Sequence, residues 1–214
     1  MNEIAKKHLT FRTEKEITEG GAIRVLQEVI PENSTLYVGN SMAVRDVDTF
    51  FLNDEKELSI LANRGANGID GMVSSGVGAA AAGGRVTLVL GDLSFFHDMN
   101  GLHAAKHYSF NLTVLLVNNN GGGIFSFLPQ ANDPKHFEAL FGTPLNLDFK
   151  KAAELYEANY TAPETEETLK EVLKDSYLTP GLSVIEVKTN REENVRWHRR
   201  IWENIAEEIL ADEG

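Results

Sequence analysis

The chain has 214 residues, 42 % of them apolar, which suits one large domain with a buried core. Its 20 Lys and Arg stand against 32 Asp and Glu, a net charge of −12. That balance argues against a general binder of nucleic acid or anionic membrane, since both rely on basic side chains neutralising phosphate. There is no Cys, which removes disulfides, thiolate zinc, iron–sulfur clusters and thiol nucleophiles, and suits a cytoplasmic setting.

Residues 1–15 are polar and mixed in charge and read as a tail or linker end, without the apolar run of a secretory signal. No stretch of about 18 uncharged apolar residues predicts a membrane span. EITEGGAIRVLQEVI (16–30) has near-helical apolar spacing and stops at Pro31. Residues 1–33, this polar stretch and helix, precede the first strand, and an α/β domain is expected over 34–214. TLYVG (35–39) reads as a buried strand, NSMAVRDVDTFF (40–51) as a loop into a helix, and ELSILAN (57–63) as a second strand. A glycine-rich loop (64–71) leads into a small-residue helix (72–84). RVTLVLGD (85–92) and LTVLLVNNN (112–120) are strands around a helix at 94–108. Their continuous apolar runs suit a parallel sheet covered on both faces. The stretch 121–149 is long and irregular, with aromatics that argue for order. Helices at 150–158 and 164–177, a fifth main strand at 182–189 and a helix at 191–210 complete the chain. Strands alternate with helices, so the predicted fold is a parallel sheet with helices on both faces.

Ligands of open α/β sheets bind beyond the carboxyl ends of the strands. Two consecutive junctions carry oxygen donors there: Gly91-Asp92-Leu93-Ser94, and Asn118-Asn119-Asn120-Gly121-Gly122-Gly123. They are separated by about one βαβ repeat, so Asp92 and Asn119 emerge at the same sheet edge. A carboxylate, an amide oxygen and a glycine-loop carbonyl are hard donors that suit Mg²⁺ with open positions for phosphate. A helix amino end and close-approaching glycines add anion-binding N–H groups. Either junction alone is more simply a helix cap or an Asx turn; the pair at this spacing favours a Mg²⁺–diphosphate site.

These two junctions resemble the GDG…NN signature of thiamine diphosphate enzymes, with Leu93 where many members have Gly. VGNSMAVRD (38–46), NRGANGIDG (63–71), GDLSFFHDMNGL (91–102) and VNNNGGGIFSFLP (117–129) narrow the resemblance to the SEPHCHC synthase family of menaquinone biosynthesis. The resemblance implies a metal held by Asp92, Asn119 and the carbonyl of Gly121, either Mg²⁺ or Mn²⁺. It places Ser41, Ile69, Leu93, Ser94 and Gly122 against thiamine diphosphate, with Ile69 as the wedge under the bent cofactor. Ser41, Arg45 and Arg64 match positions near the reacting groups, and Ile124, Phe125 and Leu128 match wall residues. The implied reaction decarboxylates 2-oxoglutarate, the thiazolium ring acting as electron sink, and adds the succinyl unit to isochorismate. Family members are longer homo-oligomers whose pyrimidine-binding domain, from another subunit, supplies the activating glutamate. The chain is therefore expected to be a C-terminal part, inactive alone.

Other motifs carry less. Gly76-Val77-Gly78-Ala79-Ala80-Ala81 approximates a dinucleotide loop but precedes a strand instead of following one. His103 and His107 share a helical spacing without a third metal ligand. His97 and Asp98 read as helix-surface residues, and Trp197 and Trp202 as packing. Among carboligases, Arg45 with Arg64 suits a dicarboxylate better than pyruvate, which disfavours an acetolactate-synthase-like enzyme. A non-catalytic cofactor-binding module is the alternative from another class.

Overall fold

The computed structural model describes residues 2–10, 16–52 and 55–212. Six strands form one parallel sheet: β1 (Ser34–Val38), β2 (Leu58–Ala62), β3 (Val86–Gly91), β4 (Leu112–Asn118), β5 (Asn159–Thr161) and β6 (Leu182–Lys188). Their order is β2-β1-β3-β4-β6-β5. The order reverses beside β1, with β2 on one side and β3 on the other, which opens a crevice at the carboxyl ends. Register places Val38 beside Val89 and Gly91 beside Val117. The loops leaving β1, β3 and β4 therefore start at one level.

The apolar strand runs are buried on both faces. On one face α2 (Glu19–Val29), α3 (Met42–Phe50), α9 (Glu166–Leu178) and α10 (Arg191–Asp212) pack over Val38, Val89, Leu115 and Ile185. On the other, α4 (Met72–Ala81), α5 (Asp92–Asp98), α6 (Leu102–His107) and α8 (Phe149–Leu155) cover Leu88, Leu90, Val114 and Val184. Small residues let α4 lie close to the sheet: a Cβ at Gly76 would sit 3.0 Å from Leu88 Cδ2. Phe95 and Phe149 meet edge to face at 5.5 Å within that second core. Full burial of such side chains contributes roughly 1.5–3 kcal/mol each.

The structure corrects the sequence reading in several places. Residues 2–9, read as part of a polar tail, form helix α1 (Asn2–Leu9). Its half-buried face of Ile4, Ala5, His8 and Leu9 is a helical stripe masked by the neighbouring charges. Lys7 and His8 reach Glu208 of α10 at 2.9 and 2.7 Å. Residues 11–15 of the expected tail lie outside the described residues. Helix α2 packs into the main body, Glu19 to Leu26 being buried throughout, and does not stand off as a linker. The expected single helix at 94–108 is two helices joined by a tight turn at Met99–Gly101, where a Cβ on Gly101 would lie 2.7 Å from Ser74 Oγ. The three-residue edge strand β5 was not expected; it is too short for period-2 alternation to show. Thr165 caps α9 in a capping box. The irregular stretch contains short turns and a four-residue helix, α7 (Pro134–Phe137), ordered by the Phe125–Phe141 and Phe137–Phe141 ring contacts. Among the described residues no helix is long and apolar enough to cross a membrane.

Candidate cofactor and substrate site

The loops after β1, β3 and β4 enclose a cavity of about 520 Å³. Its wall contains Ser41, Arg45, Arg64, Ile69, Asp92, Leu93, Ser94, Asn119, Gly121, Gly122, Ile124 and Phe125. Of the candidates read from the sequence, only Leu128 is absent from this wall; it is 40 % exposed, at the end of the short turn Gly123–Phe127.

The two oxygen-bearing junctions differ from ordinary caps and turns. Gly91 is the N-cap of α5, so Asp92 occupies the first helical position with its side chain unused as a cap. The Asx turn belongs to Asn118, whose Oδ1 accepts the N–H of Asn120 at 3.0 Å and whose amide donates to Glu186 at 2.6 Å. That leaves Asn119 free for another task. Asp92 is 1 % exposed and Asn119 8 %. Among the described residues, both Asp92 carboxylate oxygens and Asn119 Oδ1 are buried without a hydrogen-bond partner. Burying such acceptors bare costs roughly 1–3 kcal/mol each, more for a charged group. Burial pushes the Asp92 pKa up to about 6; the backbone N–H groups of Asp92, Gly121 and Leu93, near but outside hydrogen-bond geometry, and the charge of Arg191 pull the other way.

These bare oxygens fit a hard divalent cation. A carboxylate and an amide oxygen at adjacent strand ends need a positive partner of small radius, which Mg²⁺ supplies. Among the described residues no group of three His, Cys, Asp or Glu could hold a metal, so a cation here would rest on amide and carbonyl oxygens as well as Asp92. The carbonyl of Gly121 accepts Gly123 N–H at 3.0 Å and retains a second lone pair. Backbone geometry explains the glycines. Gly121 has φ +144°, and a Cβ at Gly123 would lie 2.6 Å from Asn119 Nδ2. The loop is braced from behind: Gly122 N–H donates to Gly142 carbonyl at 2.8 Å, and Arg191 pairs with Glu138 at 2.8 Å.

The other wall is pinned from the sequence's own polar residues. Ser94 Oγ donates to Ile69 carbonyl at 2.8 Å, and Asn40 Nδ2 to Gly68 carbonyl at 2.6 Å. These bonds hold the glycine-rich loop against β1 and β3. Arg64 donates to Asn40 Oδ1 at 2.7 Å, and Arg45 to Ser41 carbonyl at 2.6 Å. Neither arginine is in an ion pair among the described residues; the Arg45–Asp48 surface bridge that their spacing also allows does not form. Two guanidinium groups with spare donors thus border the cavity. Ser41 itself has φ 67° and ψ −128°, a conformation L-residues rarely adopt.

Sequence reasoning missed Asn40, Glu19 and Asp46, which also line the cavity. Glu19 and Asp46 are 2 and 3 % exposed. Asp46 Oδ1 meets His198 Nε2 at 2.9 Å, and His198 Nδ1 meets Asn194 carbonyl at 2.9 Å. Burial and the nearby Asp46 charge push Glu19 up to about 7. His198 is pulled down by burial and, more strongly in sum, up by Asp46. In the sequence Glu19 looks like an ordinary first-turn acid and Asp46 like a solvated helix residue; their partners arrive from residues 119 and 198. His103 and His107 stack at 5.9 Å, and Trp197 packs on Phe50 at 5.0 Å. Asp98 is tied to Ser74, by the N–H at 2.6 Å and the hydroxyl at 2.9 Å.

Comparison with known proteins agrees with this geometry. The family model "Thiamine pyrophosphate enzyme, C-terminal TPP binding domain" matches residues 47–187. A 2-succinyl-5-enolpyruvyl-6-hydroxy-3-cyclohexene-1-carboxylate (SEPHCHC) synthase of Oceanobacillus iheyensis is 66 % identical over 99 % of this chain and 37 % of its own length. The synthase of the same name from Bacillus velezensis is 51 % identical over 99 % of this chain and 37 % of its own length. The chain thus spans little more than a third of these curated relatives. The crystal structure of benzoylformate decarboxylase from Polynucleobacter necessarius shares the fold, with a TM-score of 0.67 at 20 % identity over 81 % of this chain and 33 % of that one. The matched span takes in Arg64, Ile69, Asp92, Asn119 and the glycine loop, so this chain belongs to the C-terminal TPP-binding domain family of thiamine pyrophosphate enzymes.

Proposed function

We propose that this chain is the diphosphate- and Mg²⁺-binding part of a SEPHCHC synthase, which decarboxylates 2-oxoglutarate and transfers the succinyl unit to isochorismate. One observation carries the reading: three buried, unpartnered oxygens of Asp92 and Asn119 face a cavity at the reversal point of a parallel sheet. The identity of 66 % to a named synthase supports the choice of reaction.

In this reading Asp92, Asn119 and the Gly121 carbonyl hold Mg²⁺ or Mn²⁺, and Leu93, Ser94 and Gly122 contact the diphosphate. Ile69, its carbonyl held by Ser94, would pack against the cofactor, with Ser41 on the same cavity wall. Bound thiamine diphosphate supplies the electron sink for decarboxylation of a 2-oxo acid. Arg45 and Arg64 bind substrate carboxylates, where a guanidinium fork matches the two oxygens. Ile124 and Phe125 form apolar walls that keep water from the reacting centre, whereas Leu128 lies outside the wall. The full assembly is a cytoplasmic homo-oligomer in which the pyrimidine-binding domain of another subunit completes each site.

The test is kinetic, in the full-length polypeptide. Arg45→Ala or Arg64→Ala should lower kcat/KM for 2-oxoglutarate by about tenfold or more, the loss of one charged hydrogen bond, while cofactor affinity barely changes. Wild-type parameters for 2-oxoglutarate and isochorismate in both variants would refute the substrate assignment.

A further inference from the structure

We propose that Glu19 is a positioning residue, which orients the side-chain amide of Asn119 so that Oδ1 and not Nδ2 faces the cavity. The proposal rests on the reading of Asp92 and Asn119 as cation donors. A carboxylate offers an acceptor from either oxygen, so Asp92 needs no such control. An amide does: turned half a revolution about its last torsion, it occupies the same volume but presents two N–H donors to the cation. Shape alone therefore cannot choose between the two settings. A hydrogen-bond partner must.

Glu19 supplies that partner. Its Oε1 accepts from Asn119 Nδ2 at 2.9 Å and from Thr189 Oγ1 at 3.1 Å. An oxygen that receives two donors carries no proton itself, whether the carboxyl is ionised or holds a proton on Oε2. The turned amide would set Asn119 Oδ1 against this oxygen, acceptor against acceptor, where both side chains are buried. Glu19 is held in turn by its position in the first turn of α2, where Thr18 caps the N–H of Gly21 at 2.9 Å. The helix that begins at residue 19 thus reaches across 100 positions to set one ligand of the β4 loop.

The full-length polypeptide tests this by titration of Mn²⁺ alone, followed by electron paramagnetic resonance, and by calorimetry of thiamine diphosphate with Mg²⁺. Glu19→Met keeps the side-chain length but removes the acceptor; it should weaken both affinities about tenfold or more. Glu19→Gln can offer Asn119 either its oxygen or its NH2, so its affinities should fall between those of wild type and Glu19→Met. In the double variant Glu19→Met with Asn119→Asp the second ligand has no wrong face, and cation affinity should return to the wild-type range. Wild-type affinity in folded Glu19→Met, or a double variant no better than Glu19→Met, would overturn the assignment. If Glu19→Met does not fold, wild type decides: the Asn119 Nδ2 protons should exchange with solvent at least tenfold more slowly than those of exposed Asn100, and equal rates would overturn the proposal. Failure of wild type to bind cofactor and cation sinks the functional reading instead, so the two failures are distinct.

Discussion

Two buried polar groups lie on one cavity wall and behave oppositely. Asp46 and His198 complete each other at 2.9 Å, and Asn194 takes the second ring nitrogen. Asp92 and Asn119, 1 and 8 % exposed, leave three oxygens without a partner among the described residues. The Asp46–His198 pair is completed by the fold alone, although Asn194 Oδ1 beside it is buried without a partner among the described residues. The second is left electrostatically incomplete, a deficit that the proposed cation would fill. Buried acidity by itself does not distinguish the two; the accounting of donors and acceptors does.

The largest expected effect breaks the finished cluster. Asp46→Ala strips His198 of its partner and should cost about 3–5 kcal/mol in urea unfolding, as removal of one member of a buried pair does. The His198 pKa is raised in the fold, so its contribution is present in full below its unfolded value of 6.5 and fades as pH rises through the folded one. That slope should vanish in Asp46→Ala; a variant with wild-type stability and slope would contradict the pairing.

Asp92→Asn should act in the opposite sense on the metal-free chain. The folded pKa of about 6 lies above the ordinary 3.8, so the ionised form is disfavoured in the fold. Stability is lost as pH climbs from about 4 through 6, and the neutral amide avoids that loss. Asp92→Asn should therefore gain about 1–3 kcal/mol at pH 8, and nothing near pH 4. The same variant should lose Mg²⁺-dependent binding of thiamine diphosphate. A destabilised metal-free variant at pH 8 would place Asp92 with the finished cluster after all.

Ser41→Gly sharpens the comparison on backbone grounds. Relief of the left-handed φ should add about 1 kcal/mol to thermal stability, whereas a drop in melting temperature would show that the serine hydroxyl outweighs the strain. The smallest effect belongs to Leu128, outside the cavity wall: Leu128→Ala should stay within about 0.5 kcal/mol of wild type in chemical denaturation.

Much of this was legible in the residues. Strand runs such as LTVLLVNNN carry their own burial pattern, and the junctions at 91–94 and 118–123 bear chemistry that follows strands at a fixed interval. Asp92 and Asn119 could be paired from topology because parallel strands bring their ends together. Glu19 could not: it enters from a helix 100 positions away, with no local signature. Nor could the tie of Asn118 to Glu186, which leaves the middle asparagine of three to present its Oδ1 to the cavity. Helix α1 was hidden because charged residues flank a narrow apolar stripe. Local pattern reports elements; who completes whose hydrogen bonds is settled by packing at long range.

The central pairing of the sheet also sets a timetable. β4 lies between β3 and β6, and Leu112 takes its register from Leu182. During synthesis at roughly 5–20 residues per second, the ribosome needs about 4–14 s to make the residues between them. Through that interval β4 presents an apolar open edge, available to the same segment of a neighbouring nascent chain. A chain halted before residue 182 should therefore aggregate or engage a chaperone, and the site corner can become rigid only once β6 has docked.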